Sequence, residues 1–363
     1  MVSLRCYFFI FVALFILFSA AGNAWRIDSV GNFRNRPYRP TNYHRPTNYR
    51  QIKQIKMSCL TMIVDQSGRG NFTRVQAAID AVPLHNQGWV CIRVAAGVYT
   101  EQVRIPLYKN MIYLVGAGKK KTSIVSNGHE SIEAATFSCE GDNIIVKALT
   151  FINSYNYPIQ NNRNRITQAV AARIWGDKSA FFRVGFVGVQ DTLWDVKGRH
   201  YFEQCTIQGA VDFIFGSGRS LYERCTIAVV ALPGNFIGYI TAEGHDDPNE
   251  QSGFVFKDCT ITGNGKAYLG RAWREYSRVL FYNTMMSDIV VPEGWQPWQG
   301  EGHEDWLNYD ELNCHGPGSD KSRRVSWSNR QSAPQLASMA SLSYIDAGSW
   351  LVPTSGQPAR LRN

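Results

Sequence analysis

The sequence predicts an all-β fold in which one chain winds into a stacked, parallel β-coil. Short apolar segments of related sequence recur along residues 182–285, with little helical pattern between them. Their last apolar residues are spaced by 21, 20, 34 and 24 positions. A repeat of this size cannot bury its own apolar face, so neighbouring repeats must stack to form a core. The aligned residues are Phe186, Ile207, Ile227, Ile261 and Met285.

The elements before these repeats indicate how the coil begins. A strand is predicted over Thr61–Asp65, and residues 72–82 carry apolar side chains at helical spacing until Pro83 ends the helix. We expect this helix to cap one end of the coil. Further short strands are predicted at 89–94, 98–103, 112–115, 124–125, 135–138 and 144–152.

The last part of the chain has a different pattern. The repeat fades after Asp288, and the tail to Asn363 mixes aromatic residues, Gly and Pro. We expect loops and short helices there that pack back on the coil. The pair Trp295 and Trp298 either lines a cleft or packs these C-terminal loops.

Residues 1–24 have the pattern of a cleaved secretory signal. An apolar stretch from Tyr7 to Phe18 follows Arg5, and Gly22–Ala24 supplies the small residues that are typical of the end of a signal. The apolar stretch is short for a membrane span, although a signal anchor is the alternative. No later stretch is long and apolar enough to cross a bilayer, so we expect an exported, soluble protein.

Residues 25–57 are predicted to be a disordered basic arm. The segment holds eight Lys or Arg and one acid, a net charge of 8 − 1 = +7, and it shows no hydrophobic period. The whole chain carries +9 and the signal +1, so residues 58–363, the predicted catalytic domain, carry about +1. On an exported protein such an arm suits an acidic extracellular polymer. A solvated linker is the alternative, and the signal argues against nucleic acid.

Cysteine and histidine usage indicates neither a dense disulfide framework nor a metal site. Seven Cys remain after Cys6 leaves with the signal, so at least one thiol is free. Cys205 and Cys225 occupy the same place on adjacent repeats and could either stack as free thiols or form a bridge. The seven scattered His are expected at the surface or in loops. Asn71–Thr73 is a glycosylation sequon.

Two carboxylates occupy corresponding places in the repeat. Asp191 and Asp212 each lie in an apolar, Gly-bounded run, and the interval between them equals one repeat. If one repeat is one coil, they lie on neighbouring strands about 4.8 Å apart. Two carboxyl groups at that distance in an apolar cleft have different pKa values, so one can act as an acid while the other stays ionised.

Other polar residues fall at intervals of whole coils from this pair. Gln168 precedes Asp191 by about one repeat, Gln190 is adjacent to it, and Arg271 and Trp273 lie two coils further on. Carboxylates, neutral amides, a guanidinium and an indole suit acyl transfer on a sugar polymer. A buried ladder of polar residues with only a structural role is the alternative.

Five motifs together resemble the plant pectin methylesterase (pectinesterase) family over roughly residues 58–350. They are Gly97–Glu101, Gln168–Ala171, Gly188–Leu193, Asp212–Gly216 and Leu269–Trp273. The resemblance implies a single-stranded, right-handed parallel β-helix. It also implies hydrolysis of galacturonate methyl esters in cell-wall pectin, with release of methanol and with no metal or other cofactor.

The resemblance also assigns roles to individual residues. It places the nucleophile on Asp212 and the general acid, later the base, on Asp191. Gln168 and Gln190 match the amides that stabilise the tetrahedral anion. Arg271 and Trp273 match residues that bind substrate.

Three segments of the chain depart from the family's pattern. Val189 stands where the family has Tyr, and Ala272 where it has Pro. Ala242–His245 reads Ala-Glu-Gly-His where the family has Ala-Gln-Gly-Arg. We expect these positions on cleft walls or on the turn that aims Arg271, where they would affect substrate preference and rate.

The implied substrate is methyl-esterified homogalacturonan, and the implied location is the cell wall. We expect a monomer without a built-in inhibitor domain, for which a separate proteinaceous pectinesterase inhibitor is a candidate partner. One alternative is a catalytically impaired wall-binding protein. Another is a β-helix lyase, which would need a calcium-binding carboxylate cluster, or a glycosidase, which would need acids spaced for sugar cleavage.

Overall fold

The computed structural model describes residues 25–27, 33–35, 59–159 and 166–351. The chain divides into two units, Met1–Ile55 and Lys56–Asn363. In the first unit, β1 (Trp25–Ile27) pairs with β2 (Phe33–Asn35) in antiparallel register, within the segment that we predicted to be a disordered arm. The predicted signal, Cys6 and the rest of that arm lie outside the described residues.

The second unit is a right-handed parallel β-helix, as the sequence predicts. Three parallel sheets of ten, eight and eight strands run along it, and from β4 to β27 each coil contributes one strand to each sheet in turn. The first sheet consists of β3 (Leu60–Val64), β4 (Val90–Val94), β7 (Ile112–Gly116), β10 (Ile145–Lys147), β13 (Ser179–Phe182), β16 (Arg199–Glu203), β19 (Arg219–Glu223), β22 (Gly253–Lys257), β25 (Ser277–Tyr282) and β28 (Leu307–Leu312).

The other two sheets form the remaining faces of the coil. The second sheet consists of β5 (Gly97–Thr100), β8 (Thr122–Ser126), β11 (Thr150–Asn153), β14 (Gly185–Val187), β17 (Thr206–Gly209), β20 (Thr226–Val229), β23 (Thr260–Gly263) and β26 (Met285–Met286). The third sheet consists of β6 (Val103–Ile105), β9 (Phe137–Cys139), β12 (Ala172–Ile174), β15 (Leu193–Asp195), β18 (Ile214–Gly216), β21 (Ile237–Glu243), β24 (Lys266–Arg271) and β27 (Trp295–Gln296).

Among the described residues, helices are short and lie mostly outside the coil. The α-helices found there are α1 (Val75–Asp80) and α2 (Ala333–Met339). Single 3₁₀ turns are formed by Ile132–Ala134, Pro233–Asn235, Trp298–Gly300, Glu304–Trp306, Pro317–Ser319, Leu342–Ile345 and Ala347–Ser349. No helix in the described part of the chain is long and apolar enough to span a membrane.

The register of the second sheet matches the predicted alignment except at its end. Phe186, Ile207, Ile227 and Ile261 face one another on consecutive coils. On β26, however, Met286 and not Met285 pairs with Ile261, so the last predicted step was wrong by one residue. Burial explains the difference, because Met286 is fully buried whereas its neighbour is only half-buried.

Aromatic side chains form a continuous stack inside the coil. The rings of Phe181, Phe202, Tyr222, Phe256 and Phe281 follow one another at centroid distances of 4.8, 4.4, 4.6 and 4.6 Å. All five are fully buried. Equivalent positions on successive coils therefore supply the core, because each coil presents the same inward face at the same register.

Most cysteines of the coil are free thiols, namely Cys139, Cys205, Cys225, Cys259 and Cys314. Cys205 and Cys225 are buried and unbridged, so the structure favours stacking over a disulfide. Each Sγ donates instead to a backbone carbonyl, Cys205 to Phe181 at 3.3 Å and Cys225 to Phe202 at 3.4 Å. A disulfide joins Cys59 and Cys91 at the start of the first sheet, a pairing that the sequence did not predict.

Helix α1 caps the N-terminal end of the coil, although it is shorter than the predicted 72–82 span. Its residues Val75, Ala78 and Ile79 are fully buried. The carboxylate of Glu101 accepts hydrogen bonds from the first two helical N–H groups, at 2.8 and 3.0 Å. An anion at this position satisfies helix donors that have no partner within the helix.

The coil continues further than the sequence indicated. Strands β27 and β28 extend the third and first sheets beyond Asp288, where the repeat was expected to fade. After β28, α2 and the 3₁₀ turn Leu342–Ile345 pack on the outer face of the first sheet, so short helices pack back on the coil as expected. Leu336 and Ile345 are buried there in one apolar cluster with Leu221 and Val255.

Candidate active site

Asp191 and Asp212 lie at equivalent turns of adjacent coils. A single residue separates each of them from a strand of the third sheet, and the pairing of Leu193 with Ile214 aligns the two turns. Both aspartates have left-handed backbones, with φ of 59° and 47°. This conformation is costly for most residues and tolerable for Asp, so the same sharp bend directs both side chains from the same corner of the coil.

The two carboxyl groups are almost equally buried, and their charged neighbours give them different acidity. Asp191 is 8% exposed and Asp212 is 7% exposed. Burial, and after it the negative charge of Asp212, raises the pKa of Asp191 to about 8, against the opposing effects of Arg271 and of a hydrogen bond from Gln168. Asp191 therefore holds its proton at neutral pH.

Arg271 holds the other carboxylate in a bidentate ion pair. Its Nε donates to Asp212 Oδ1 at 2.8 Å and its Nη2 donates to Oδ2 at 2.6 Å. Burial raises the pKa of Asp212, and the hydrogen bond and charge of Arg271 oppose that rise. The pair of carboxyl groups thus carries one proton and one stabilised negative charge.

Two aromatic rings enclose the guanidinium of Arg271. The centroids of Tyr239 and Trp298 each lie 3.9 Å from Arg271 Cζ. Trp298 is 37% exposed, whereas Trp295 is fully buried against Tyr309, so the two tryptophans have different surroundings. Tyr239 is not among the residues predicted from the sequence, because its ring meets Arg271 only through the stacking of coils.

The two candidate glutamines take different positions. The third sheet pairs Ala172 with Leu193, which places Val170 opposite Asp191. Gln168 is therefore two residues away from the predicted one-coil equivalent, but its side chain still hydrogen bonds with Asp191. Gln190 is half-buried and next to Asp191 in the same turn.

Three rings line the outer face of the third sheet beside the aspartates. Trp194 stacks on Phe215 with centroids 5.3 Å apart, and Phe215 meets Trp273 edge to face at 5.7 Å. Sequence analysis named only Trp273. A signal was available, because Trp194 and Phe215 each follow one of the two aspartates by three residues and pair in register. Trp194 and Trp273 are half-buried and Phe215 is 7% exposed, and the accessible parts of the two indoles suit stacking on a pyranose.

The departures from the family pattern are buried positions. Val189 is fully buried in an apolar cluster that includes Tyr157, and Ala272 is fully buried as well. Glu243 has no exposed surface, and its carboxylate accepts hydrogen bonds from a backbone N–H, from a serine and from His245. These residues are therefore buried and do not form exposed cleft walls, whereas Ala272 directly follows Arg271 at the end of β24, as expected for the turn that aims this arginine.

Among the described residues, His200 and His245 are buried: His200 lies on strand β16, contrary to the expectation of a surface or loop position, whereas His245 lies in the connection between β21 and β22. His245 is 3% exposed beside Glu243, and His200 has no exposed surface. His200 Nδ1 lies 2.5 Å from Asp195 Oδ1, and Tyr222 donates to Asp195 Oδ2 at 2.6 Å. Such a network satisfies polar groups that would otherwise be costly to bury.

Comparisons with known proteins identify the family. The family model for pectinesterase matches residues 61–347. The chain is 51% identical to probable pectinesterase 29 of Arabidopsis thaliana over 80% of its own length and 88% of that protein. It is 52% identical to probable pectinesterase 55 of Arabidopsis thaliana, covering 82% and 92% of the two chains. The structure of pectin methylesterase from carrot matches with a TM-score of 0.76 and 31% identity, over 82% of this chain and 97% of that one. The chain therefore belongs to the pectinesterase family, whose members hydrolyse the methyl esters of pectin.

Proposed function

We propose that this protein removes methyl groups from galacturonate units of cell-wall pectin with Asp212 as the nucleophile and Asp191 as the acid and base. A carboxylate oxygen of Asp212 attacks the ester carbonyl carbon. The tetrahedral anion collapses with cleavage of the bond to the methoxy oxygen, and Asp191 gives its proton to departing methanol.

The second half of the cycle restores both carboxyl groups. Asp191, now ionised, takes a proton from water, and the resulting hydroxide attacks the acyl group held on Asp212. The bond to Asp212 breaks, so its carboxylate is freed, and the galacturonate leaves as an acid. The sum is one ester and one water converted to one carboxylic acid and one methanol.

One observation carries the proposal: a protonated, buried carboxyl lies beside a carboxylate that an arginine holds bidentately. A nucleophile must be ionised and a leaving-group acid must be protonated at the same pH. The raised pKa of Asp191, about 8, and the ion pair at Asp212 meet both demands.

The other candidate residues have supporting roles in this scheme. The amides of Gln168 and Gln190 donate to the oxyanion, which is most valuable where water is excluded. Arg271 orients the nucleophile. Trp273, together with the neighbouring rings of Trp194 and Phe215, forms a platform for the sugar chain.

We also propose that the protein acts outside the cell on methyl-esterified homogalacturonan, as a monomer and without a cofactor. The sequence pattern of residues 1–24 and the basic arm support this proposal. Asn71 is exposed, as a glycan attachment site must be, and a proteinaceous pectinesterase inhibitor is a candidate partner.

The test is product analysis with purified mature protein and highly methylated pectin. We expect methanol and new carboxyl groups in equal amounts. Asp212→Ala should abolish both products, and Asp288→Asn, which changes an exposed carboxyl, should keep them. Pectin binding without methanol release would contradict the proposal and favour a binding protein. Unsaturated products that absorb in the ultraviolet would instead indicate a lyase.

A further inference from the structure

The guanidinium of Arg271 is covered on both faces by aromatic rings. Tyr239 and Trp298 each lie 3.9 Å from Arg271 Cζ, closer than the 4.7 Å that separates Arg274 Cζ from the ring of Trp273. A planar guanidinium has two faces and a rim of N–H donors, and two rings this close to one carbon would overlap if they shared a face. With both faces covered, the rim alone remains for hydrogen bonds, and Asp212 takes the edge formed by Nε and Nη2.

The two rings are supported in different ways. Tyr239 lies on β21, in register with Tyr268 on β24, and the two rings stack with centroids 5.3 Å apart and an angle of 9°. Tyr239 also packs against the buried cluster of Val189 and Val211. Trp298 instead lies in a 3₁₀ turn after β27 and is 37% exposed. The tyrosine is thus the ring that the body of the coil holds in place.

This arrangement strengthens the contact between Arg271 and Asp212 in two ways. Stacked rings exclude water from the guanidinium, and an ion pair in a medium of lower polarity is stronger. The ring face attracts the cation, which limits the rotation of a long and flexible side chain. Both effects act on the carboxylate through the arginine, since no hydrogen bond joins Tyr239 to Asp212 in the described residues.

We propose that Tyr239 is a positioning residue for ester hydrolysis, which holds the Arg271 guanidinium in the orientation that presents Asp212 to the ester. The proposal rests on the proposed roles of Asp212 and Arg271. It adds a residue that lies outside the five motifs and that sequence analysis did not single out.

The proposal predicts a specific kinetic pattern. Loss of the ring face should lower kcat, because the nucleophile is less well oriented, and should leave KM nearly unchanged, because Tyr239 is not on the sugar platform. Removal of a cation–π contact from a partly desolvated guanidinium should lower kcat roughly tenfold. Removal of a residue that binds the sugar chain would instead raise KM.

The acidic limb of the pH–rate profile gives a second readout. Among the described residues, the guanidinium of Arg271 and the carboxyl group of Asp191 face Asp212, and Tyr309 is a further titratable group that interacts with it. If Arg271 is held less firmly, it lowers the pKa of Asp212 by a smaller amount, so the pKa of Asp212 rises. The acidic limb should then move to higher pH. A role in packing alone would not move it.

The experiment compares three variants with the wild type in methanol release from methylated pectin. Tyr239→Phe keeps the ring face, whereas Tyr239→Leu keeps apolar bulk without it. Tyr108→Leu, at an exposed tyrosine between β6 and β7, controls for the loss of a tyrosine elsewhere. We expect Tyr239→Phe and Tyr108→Leu to resemble the wild type, and Tyr239→Leu to lose roughly tenfold in kcat with the shifted acidic limb.

Two results would overturn the proposal. Equal kcat values for the Phe and Leu variants at position 239 would overturn it, and so would a loss in Tyr239→Leu that appears only in KM. If Tyr239→Leu fails to fold, Tyr239→Met at the same position replaces it, with the same expected loss. Asp212→Asn in the same assay separates failure of the proposed function from failure of this inference. If Asp212→Asn retains activity, the proposed function fails. If Asp212→Asn is inactive but the Phe and Leu variants at position 239 have equal kcat values, only the role of Tyr239 fails.

Discussion

The catalytic proposal makes Asp191 a residue that costs stability at alkaline pH. Its folded-state pKa is about 8 against an ordinary value of 3.8, with burial as the largest cause. Between these values the folded protein keeps a proton that the unfolded chain has released. Stability therefore falls as pH rises from about 4 to about 8, and the full cost is present above pH 8.

The substitution that tests this is Asp191→Asn. Asparagine has nearly the shape of a protonated aspartate, and it tolerates the left-handed backbone at this position, where φ is 59°. Unlike aspartate, it has no charge to bury at high pH. The variant should therefore match the wild type near pH 4 and become progressively more stable than it as pH rises.

The size of the effect follows from the two pKa values. Each pKa unit corresponds to about 1.36 kcal/mol, so a difference of about four units gives a ceiling of roughly 5 to 6 kcal/mol. The advantage of Asp191→Asn should grow by about 1.4 kcal/mol per pH unit between pH 4 and pH 8 and then level off.

Urea denaturation of both proteins at pH 4.5, 6, 7.5 and 9 measures this advantage directly. Asp288→Asn, which removes an exposed carboxyl, is the matched control. The same difference in stability at every pH would refute the reasoning, because a change in packing is independent of pH. A wild type that gains on the variant as pH rises would refute it as well, since the sign would then be that of a lowered pKa.

Three further predictions concern the ion pair, the disulfide and the ring stack. Arg271→Lys removes the bidentate contact, so kcat for methanol release should fall roughly 10- to 100-fold and the acidic limb of its pH–rate profile should move to higher pH. Unchanged kinetics would contradict the role of Arg271. Replacement of Cys59 and Cys91 by Ser opens a link between residues 32 apart, which should lower the free energy of unfolding by about 2 to 4 kcal/mol in urea titrations while kcat stays the same. Phe202→Ala leaves a hole in the buried stack between Phe181 and Tyr222, and thermal or urea unfolding should show a loss of about 3 to 5 kcal/mol; a loss below about 1 kcal/mol would mean that the stack is not part of the core.

The coil could be predicted from sequence where its repeats are regular. Two nearly equal steps align Phe186, Ile207 and Ile227 without ambiguity, because each repeat has the same apolar pattern. The last step failed because two methionines stand side by side, and sequence does not say which of Met285 and Met286 faces inward. Strands β27 and β28 were missed because their sequences lack the pattern of the earlier repeats.

The two aspartates could likewise be predicted to lie together, because the interval between them equals one coil. The surroundings of Arg271 could not, since Tyr239 and Trp298 come from different coils and neither spacing nor residue type links them. The same limit applies to Cys59 and Cys91, which are separated by helix α1 and lie before the repeat becomes regular. Buried His200 shows that a polar residue can be internal when Asp195 and a backbone carbonyl satisfy it.

Covalent catalysis by Asp212 is tested most directly by trapping its acylated form. The enzyme is mixed with methylated pectin in the presence of hydroxylamine, digested, and analysed by mass spectrometry for a hydroxamate on Asp212. We expect the modification at Asp212 with methylated pectin, and its absence with de-esterified pectin and in the Asp212→Asn variant, which should release no methanol. Methanol release by Asp212→Asn at the wild-type rate, with no modification of this residue in the wild type, would contradict the account.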